Sequence, residues 1–214
     1  MSGILLRMTD KTTWNQIPPD AVIQKTANAL RENGMTPIIV ENKEEAKKKL
    51  LSLLPEGSEV MDMTSVTLTT LGITDTLHHS DKYKSIKNVL SKMDRAIDHL
   101  EMQKLGAGPE YALGSVHAIT EDGKVVIASN TGSQLPAYAY GASHVLWVVG
   151  AQKITADLDS AMKRVYDYVL PLESDRAHKA YGVPGSFVSK LLIINKEIAP
   201  GRITVILVKE NLGF

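Results

Sequence analysis

The sequence contains no cysteine. A chain without thiols cannot form disulfides, cannot ligate zinc or an iron–sulfur cluster through thiolates, and cannot use a thiol as a nucleophile. Whatever redox centre the protein works beside must therefore belong to a partner.

An excess of charge of one sign is also missing. The 24 lysine and arginine residues equal the 24 aspartate and glutamate residues, so the formal net charge is zero. A neutral chain has no strong positive field with which to attract phosphate backbones, and we expect no sequence-independent binding of nucleic acid.

Long hydrophobic runs are absent as well. The run from Ile4 to Leu6 is too short for the apolar part of a secretory signal, and the strongest run, Val145 to Val149, has the length of a buried strand. We therefore expect no membrane segment and a cytoplasmic location.

What is present is the composition of a folded globular protein. The 214 residues are 43% hydrophobic and 22% charged, which is enough apolar material for one substantial core. No internal repeat or low-complexity linker divides them. We predict a single domain over residues 1–214, with an N-terminal helical segment at about residues 1–34.

Amphipathic spacing predicts several helices. Ile23, Ala27 and Leu30 fall at i, i+4 and i+7 after Pro18-Pro19, a pair suited to a helix start, and Asn33-Gly34 closes the segment. The other predicted helices follow Asn42 as N-cap, run from the Thr64-Ser65 cap to about Gly72, and cover Gln134 to Tyr140 and Asp157 to Leu170, with Met93, Ile97 and Leu100 marking a further helix face.

Short β-rich runs between these helices predict strands. Their alternation with helices indicates an α/β fold with a mostly parallel sheet and helices on both of its faces. Glu173 to Ser189 is predicted as a long surface excursion, either a lid or an oligomer contact. The predicted strands are Met35–Val40, Ser58–Met61, Tyr111–Val116, Lys124–Ala128, His144–Val149, Leu191–Ile194 and Ile203–Val208.

Three loops follow predicted strands at the edge where a parallel sheet binds ligands. Hydroxyls, free backbone N–H groups and one ammonium in these loops predict a site for phosphate or carboxylate. Helix capping is an alternative role for Thr64, Ser65, Thr131 and Ser133. The candidate ligand-binding residues are Ser65 and Thr67 in the first loop, Asn130, Thr131, Gly132 and Ser133 in the second, and Lys153 in the third, together with Gly114.

His117 is the candidate for proton transfer, because it comes at the end of the run Gly114-Ser115-Val116, close to the same edge, and imidazole titrates near neutral pH. It could act as a general acid or base, orient a substrate carboxylate, or simply bond to nearby backbone. His78-His79 are neighbours whose side chains diverge, so no metal site is predicted. Thr120 to Gly123 is predicted as a turn, since Asp-Gly is common there.

Several spaced features occur in a fixed order. Ser65-Val66-Thr67-Leu68 with Gly72-Ile73 comes first, followed by Gly114 with Ala118 to Gly123. The later features are Gly132, Gly141, the run Val145 to Val149 with Gly150, Lys153-Ile154 and Asp157-Leu158-Asp159. Over roughly residues 20 to 170 this pattern resembles the LUD family, the lactate-utilisation domain proteins.

The resemblance implies a fold akin to sugar-phosphate isomerases and coenzyme A transferases. It also implies a role in lactate utilisation, in which some family members act with iron–sulfur partner proteins to oxidise lactate to pyruvate. Two alternatives stay open, namely a non-catalytic assembly subunit and a stand-alone sugar-phosphate isomerase or acyl transferase.

These observations combine into one expectation about function. A small anionic metabolite, lactate or a related hydroxy or keto acid, would rest on the N–H groups of Thr131 to Ser133, with Ser65, Thr67 and Lys153 nearby and His117 handling the proton. No cofactor is predicted in this chain. Iron–sulfur partner proteins are the expected macromolecular partners, and a homo-oligomer is left open.

Overall fold

In the computed structural model, which describes residues 14–214, helices and strands alternate along the chain. The described part of the expected N-terminal helical segment therefore begins at Trp14. The apolar run from Ile4 to Leu6 lies outside the described residues.

The helices begin and end close to the predicted positions in the first third of the chain. Asn42 caps its helix as predicted, because its side chain accepts from the Glu45 N–H. Within residues 14–214, no helix has the length and apolar character needed to cross a membrane. The helices are α1 (Asp20–Glu32), α2 (Lys43–Ser52), α3 (Val66–Thr70), α4 (Ile73–His78), α5 (Ile86–Leu90), α6 (His99–Ala107), α7 (Leu158–Lys163) and α8 (Leu170–Tyr181).

The strands form two sheets. The larger has the order β1-β10-β7-β4-β2-β3, and each of its pairings is parallel. It confirms the predicted α/β fold with a mostly parallel sheet. The strands are β1 (Thr36–Val40), β2 (Glu59–Asp62), β3 (Lys84–Ser85), β4 (Tyr111–Gly114), β5 (Ala118–Thr120), β6 (Val125–Ser129), β7 (His144–Gly150), β8 (Ile154–Thr155), β9 (Lys190–Ile194) and β10 (Ile203–Val208).

The smaller sheet has the order β8-β5-β6-β9 and is mixed. Sequence analysis did not separate it from the main sheet. The turn between β5 and β6 is the predicted one: the Gly123 N–H donates to the Thr120 carbonyl at 2.8 Å, and Gly123 has a φ of +82°. At that φ a side chain would be strained, which explains the glycine of the Asp-Gly pair.

The main sheet is covered on both faces, and each face has its own core. Trp147 and Val205 lie on the face that packs against α1 and the small sheet. Leu146 and Val148, which alternate with them along β7, lie on the face covered by α2, α3 and α4. Burial on both faces is why these strands are continuously apolar.

The segment after Asp157 differs from the prediction. The predicted helix over Asp157 to Leu170 and the predicted excursion that starts at Glu173 are joined into one helical element, which runs from α7 through a π-helical segment, Arg164–Val169, into α8. Pro171 lacks an N–H and would break regular α-helical bonding, and the wider π turn before it lets the helix continue. The first part of the predicted surface excursion, from Glu173 to Tyr181, therefore belongs to helix α8.

The predicted helix face at Met93, Ile97 and Leu100 is also wrong. α6 begins only at His99 and contains no buried residue, and Ile97 precedes it with 77% of its surface exposed. An apolar spacing of i, i+4 and i+7 here does not mark a core contact.

Candidate functional site

Three strands of the main sheet, β2, β4 and β7, end at the same edge and deliver the polar side chains of the candidate site. The chain leaves β2 and enters α3, which carries Thr67 in its first turn. It leaves β4 at Ser115 and leaves β7 through a short 3-10 helix, Ala151–Lys153. The carboxyl ends of neighbouring parallel strands therefore bring residues distant in sequence into contact.

Thr67, Ser115 and Lys153 form a hydroxyl–amine cluster at that edge. The Lys153 Nζ atom donates to Thr67 Oγ1 at 3.2 Å and to Ser115 Oγ at 3.1 Å. Thr67 Oγ1 lies 3.2 Å from the Leu212 carbonyl oxygen and 3.3 Å from Ser115 Oγ. The two predicted residues, Thr67 and Lys153, are thus brought together, with Ser115 added between them.

Lys153 is buried without a carboxylate. Only 1% of its surface is exposed, and no described acidic side chain forms an ion pair with it. Burial, followed by the positive charge of Arg164, holds the pKa of the Lys153 amine well below its usual range. A buried amine in this position is held by hydroxyls alone, which do not compensate a full charge.

Arg164 is a second buried cation beside the site. Its Nη1 donates to the His117 carbonyl oxygen at 2.5 Å, and its guanidinium lies 5.2 Å from the centre of the Tyr168 ring. Its Nε and Nη2 atoms have no hydrogen-bond partner among the described residues. Burial lowers the pKa of Arg164 to about 10, so this side chain is still cationic at neutral pH and adds positive potential to the site.

His117 follows Ser115 in the connection between β4 and β5. Its Nδ1 accepts from the Ala128 N–H at 3.0 Å, so the neutral ring carries its proton on Nε2. Burial, then the charges of Lys153 and Arg164, lowers the pKa of His117 to about 3. A ring that stays neutral at pH 7 is a hydrogen-bond donor at Nε2, and the bond at Nδ1 is the contact with nearby backbone that the sequence analysis gave as one alternative.

Two adjoining cavities open at these residues. The inner cavity has a volume of about 70 Å³ and is lined by Lys153, Ser65, Thr67 and Ser115. The outer cavity has a volume of about 460 Å³ and is bounded by the loop after β6 and by α8. His117, Gln134 and Arg176 belong to the walls of both.

The charges on the cavity walls are mostly positive. The basic wall residues are Lys87, Lys153 and Arg176, and the acidic side chain among the described wall residues is Glu173. Arg176 forms a bidentate pair with Glu173, with both N–O distances at 2.7 Å. Lys87 Nζ lies 3.3 Å from Asp62 Oδ2.

The loop after β6 does not offer the predicted backbone donors. The Gly132 N–H donates to Ser129 Oγ at 2.8 Å, and the Ser133 N–H donates to Thr131 Oγ1 at 3.3 Å. The prediction that these amides cradle an anion is therefore wrong for Gly132 and Ser133, because side chains of their own loop already occupy them. Asn130, Thr131 and Ser133 still line the outer cavity.

Two further predicted residues have structural roles. A Cβ atom on Gly114 would lie 1.8 Å from the Tyr138 hydroxyl oxygen, so this glycine makes room for a buried tyrosine that lines the inner cavity. Ser65 caps α3 by accepting from the Leu68 N–H at 3.4 Å while also lining the inner cavity. For Ser65 the capping and cavity roles coexist.

Sequence analysis missed Ser115, Arg164 and Arg176. Ser115 directly follows Gly114, and the rule for strand ends that selected Thr67 applies to it equally. Arg176 fell within the predicted surface excursion. The spacing of Val165, Val169 and Ala177 on one helical face was a signal that the helix continues to it.

Comparison with known proteins finds one matching family model and a similar solved structure. A family model described as LUD domain matches residues 23–208. The crystal structure of a DUF162 family protein from Deinococcus radiodurans is similar with a TM-score of 0.55 and 12% identity, covering 89% of this chain and 99% of that chain. At this identity the structural similarity shows the fold alone. None of the curated proteins matches the sequence.

Proposed function

This chain belongs to the LUD domain family, and on that premise we propose that it binds a small hydroxy or keto carboxylate, lactate or a close relative, in the inner cavity beside Lys153. Family membership supports a role related to lactate utilisation. The identity of the ligand and of the macromolecular partner is our proposal.

The observation that carries the proposal is the buried Lys153 amine without an acidic partner. A lysine at 1% exposure normally needs a carboxylate to compensate the loss of hydration. Here the contacts of its amine are the hydroxyls of Thr67 and Ser115, and a cavity lies beside it. A ligand carboxylate would supply the counter-charge with which this amine can bind a proton.

The size and the donors of the inner cavity suit a small acid. A volume of about 70 Å³ leaves room for a ligand of a few heavy atoms, with larger groups confined to the outer cavity. The Ser115 hydroxyl and the Nε2–H of His117 can donate to a ligand hydroxyl or carbonyl oxygen. The Arg164 guanidinium lies beside the site and adds positive charge there.

A partner protein would complete any oxidation. Conversion of a 2-hydroxy acid into a 2-oxo acid releases two electrons and two protons, and this chain holds no thiolate that could ligate an iron–sulfur acceptor. We propose that the electrons pass to an iron–sulfur partner, as the similarity to lactate-utilisation proteins suggests. This chain would bind and orient the acid.

Titration calorimetry with lactate and pyruvate tests the binding step. We expect Lys153→Met to weaken carboxylate binding by roughly 2 kcal/mol or more, which is about 30-fold in Kd, because a charge-assisted contact in a buried site is lost. The matched control is Lys163→Met on α7, where the lysine is exposed and the affinity should stay unchanged.

The same titration separates the alternatives. Saturable binding of a sugar phosphate or an acyl coenzyme A ester, with no response to lactate or pyruvate, would favour an isomerase or transferase. Binding of none of these, combined with a stable complex with an iron–sulfur protein, would favour a non-catalytic subunit. Carboxylate binding that is equal in the wild type and Lys153→Met would contradict the proposal.

A further inference from the structure

We propose that Lys153 Nζ is a nucleophile that forms a Schiff base with the carbonyl carbon of a 2-oxo acid in the inner cavity. This inference rests on the proposed function, because it requires that the cavity accept a small carboxylate. It adds covalent chemistry and a preference for the keto form of the acid.

The hydrogen bonds of Lys153 match a neutral amine better than an ammonium. A neutral amine has two N–H bonds and one lone pair, and the two nearby acceptors, Thr67 Oγ1 and Ser115 Oγ, take both hydrogens. An ammonium would have a third N–H with no acceptor among the described residues. The hydroxyl cluster therefore leaves the lone pair free, and Lys153 is part of the wall of the inner cavity.

Burial keeps the amine in its reactive form. The pKa of Lys153 is lowered well below its usual range, chiefly by burial and then by the charge of Arg164. Lysines that form Schiff bases are activated in this way, since only the unprotonated amine attacks a carbonyl. Lys87 differs in its contacts, because its Nζ lies 3.3 Å from Asp62 Oδ2 and about a quarter of its side chain is exposed.

Ser115 is placed to assist the loss of water. Thr67 Oγ1 can direct its own hydrogen to the Leu212 carbonyl at 3.2 Å, which leaves the Ser115 hydroxyl hydrogen free to turn toward a ligand oxygen. Ser115 is half-buried and lines the inner cavity. A hydroxyl 3.1 Å from Nζ is within reach of the oxygen on a carbon bonded to that nitrogen.

The atoms of the step balance without an external reactant. The Nζ lone pair forms a bond to the carbonyl carbon, and the carbonyl oxygen takes one of the amine protons to give a carbinolamine. Loss of that hydroxyl with the second amine proton releases one water and leaves the imine. When the imine is protonated, its positive charge lies next to the acid's own α-carboxylate, which is the partner that the free lysine lacks.

Reductive trapping tests this directly. Wild-type protein is incubated with pyruvate and cyanoborohydride, and its intact mass and peptide map are recorded. We expect one reduced pyruvyl group per chain on Lys153, and several-fold slower labelling when lactate, which cannot form an imine, competes for the cavity. Labelling spread over surface lysines such as Lys163, with none on Lys153, would overturn the inference.

Variants and pH provide independent readouts. Lys153→Arg keeps a cation but cannot form an imine, so it should lose the label, whereas Ser115→Ala should slow labelling about tenfold or more because proton transfer is lost. Because the pKa of the Lys153 amine is lowered, labelling of Lys153 should rise less steeply with pH than labelling of exposed lysines. If the labelling rate at Lys153 rises as steeply with pH as the rate at exposed lysines, the amine is not activated by its surroundings.

The results also distinguish this inference from the proposed function. Carboxylate binding that depends on Lys153, with no trapped adduct in the wild type, would leave the anion site standing and remove the Schiff base. Absence of both binding and adduct would remove both.

Discussion

Two buried ionisable side chains lie at the same edge of the main sheet, and their surroundings differ. Asp62, at the end of β2, is fully buried but contacts His78 Nε2 at 2.9 Å and Lys87 Nζ at 3.3 Å. Lys153, after β7, is buried just as deeply, and within residues 14–214 its amine contacts hydroxyls and no carboxylate side chain.

Under the proposed function, this difference is that between a structural charge at Asp62 and a ligand contact at Lys153. The Asp62 cluster is complete within the protein, so it can link β2 to α4 and α5 without a ligand. The Lys153 cluster lacks one partner, which is the arrangement expected where the partner arrives from solution. Four predictions test this contrast, beginning with the largest expected effect.

Acid should lower the folding stability of the protein, because His117 is held neutral in the folded state. The pKa of His117 is about 3 in the folded protein and about 6.5 in the unfolded chain, so between these values only the unfolded chain binds the proton and stability falls as the pH falls. The loss between pH 7 and about pH 3 is roughly 4 kcal/mol. Urea denaturation of the wild type and of His117→Gln at both pH values measures it.

Gln at position 117 does not titrate, yet its amide oxygen can still accept a hydrogen bond. The variant should therefore lose much less stability in acid than the wild type. Parallel losses in the two proteins would show that other groups dominate acid unfolding and that His117 is not held neutral.

Removing the carboxylate of Asp62 should cost about 3 kcal/mol of folding stability, since Lys87 then loses its counter-charge and His78 loses its hydrogen-bond partner at a buried position. Both partners are partly exposed, with about a quarter of each side chain accessible, which keeps the cost below that of a fully buried pair. Denaturation of Asp62→Ala at neutral pH checks this, and a change of less than about 1 kcal/mol would contradict the structural role.

Filling the space at Gly114 should cost about 2 kcal/mol, because a methyl group there collides with the Tyr138 hydroxyl. Tyr138→Phe removes that oxygen and should restore part of the stability of Gly114→Ala. Thermal unfolding of the two single variants and the double variant measures the coupling. If the stability losses of the two single variants add up in the double variant, the new methyl group and the Tyr138 hydroxyl are not in contact.

Replacing Lys153 by Met should raise folding stability by about 1 kcal/mol while ligand binding is lost, which is the opposite of the effect at Asp62. The folded pKa of Lys153 is lowered, so below about pH 10 the unfolded chain binds this proton more strongly, and wild-type stability rises with pH toward that value. The gain from Lys153→Met should therefore shrink in alkaline buffer. Destabilisation by this substitution would indicate a structural lysine.

The parts of the fold that were predictable are those with a repeated signal. β7 and β10 are buried on both faces and read as continuous apolar runs, and α1 has a regular apolar stripe. The small sheet was not predictable, because β5 and β8 contain only three and two residues and have no measurable period.

The candidate site was predictable only in outline. Lys153 and Thr67 could be selected as site residues because both come shortly after a predicted strand, where a parallel sheet binds ligands. The occupied amides of Gly132 and Ser133 depend on the side-chain rotamers of Ser129 and Thr131, which sequence spacing does not encode. Arg176 was hidden by Pro171, because a proline inside an apolar pattern normally signals the end of a helix.

The order of the main sheet has a consequence for biosynthesis. β10, the last strand in chain order, lies between β1 and β7, so those two have no direct pairing and the middle of the sheet stays open until residues 203–208 leave the ribosome. Until then the apolar flanks of β1 and β7 remain exposed to other nascent chains. We expect ribosome-bound chains that stop before Ile203 to recruit chaperones and to be protease-sensitive.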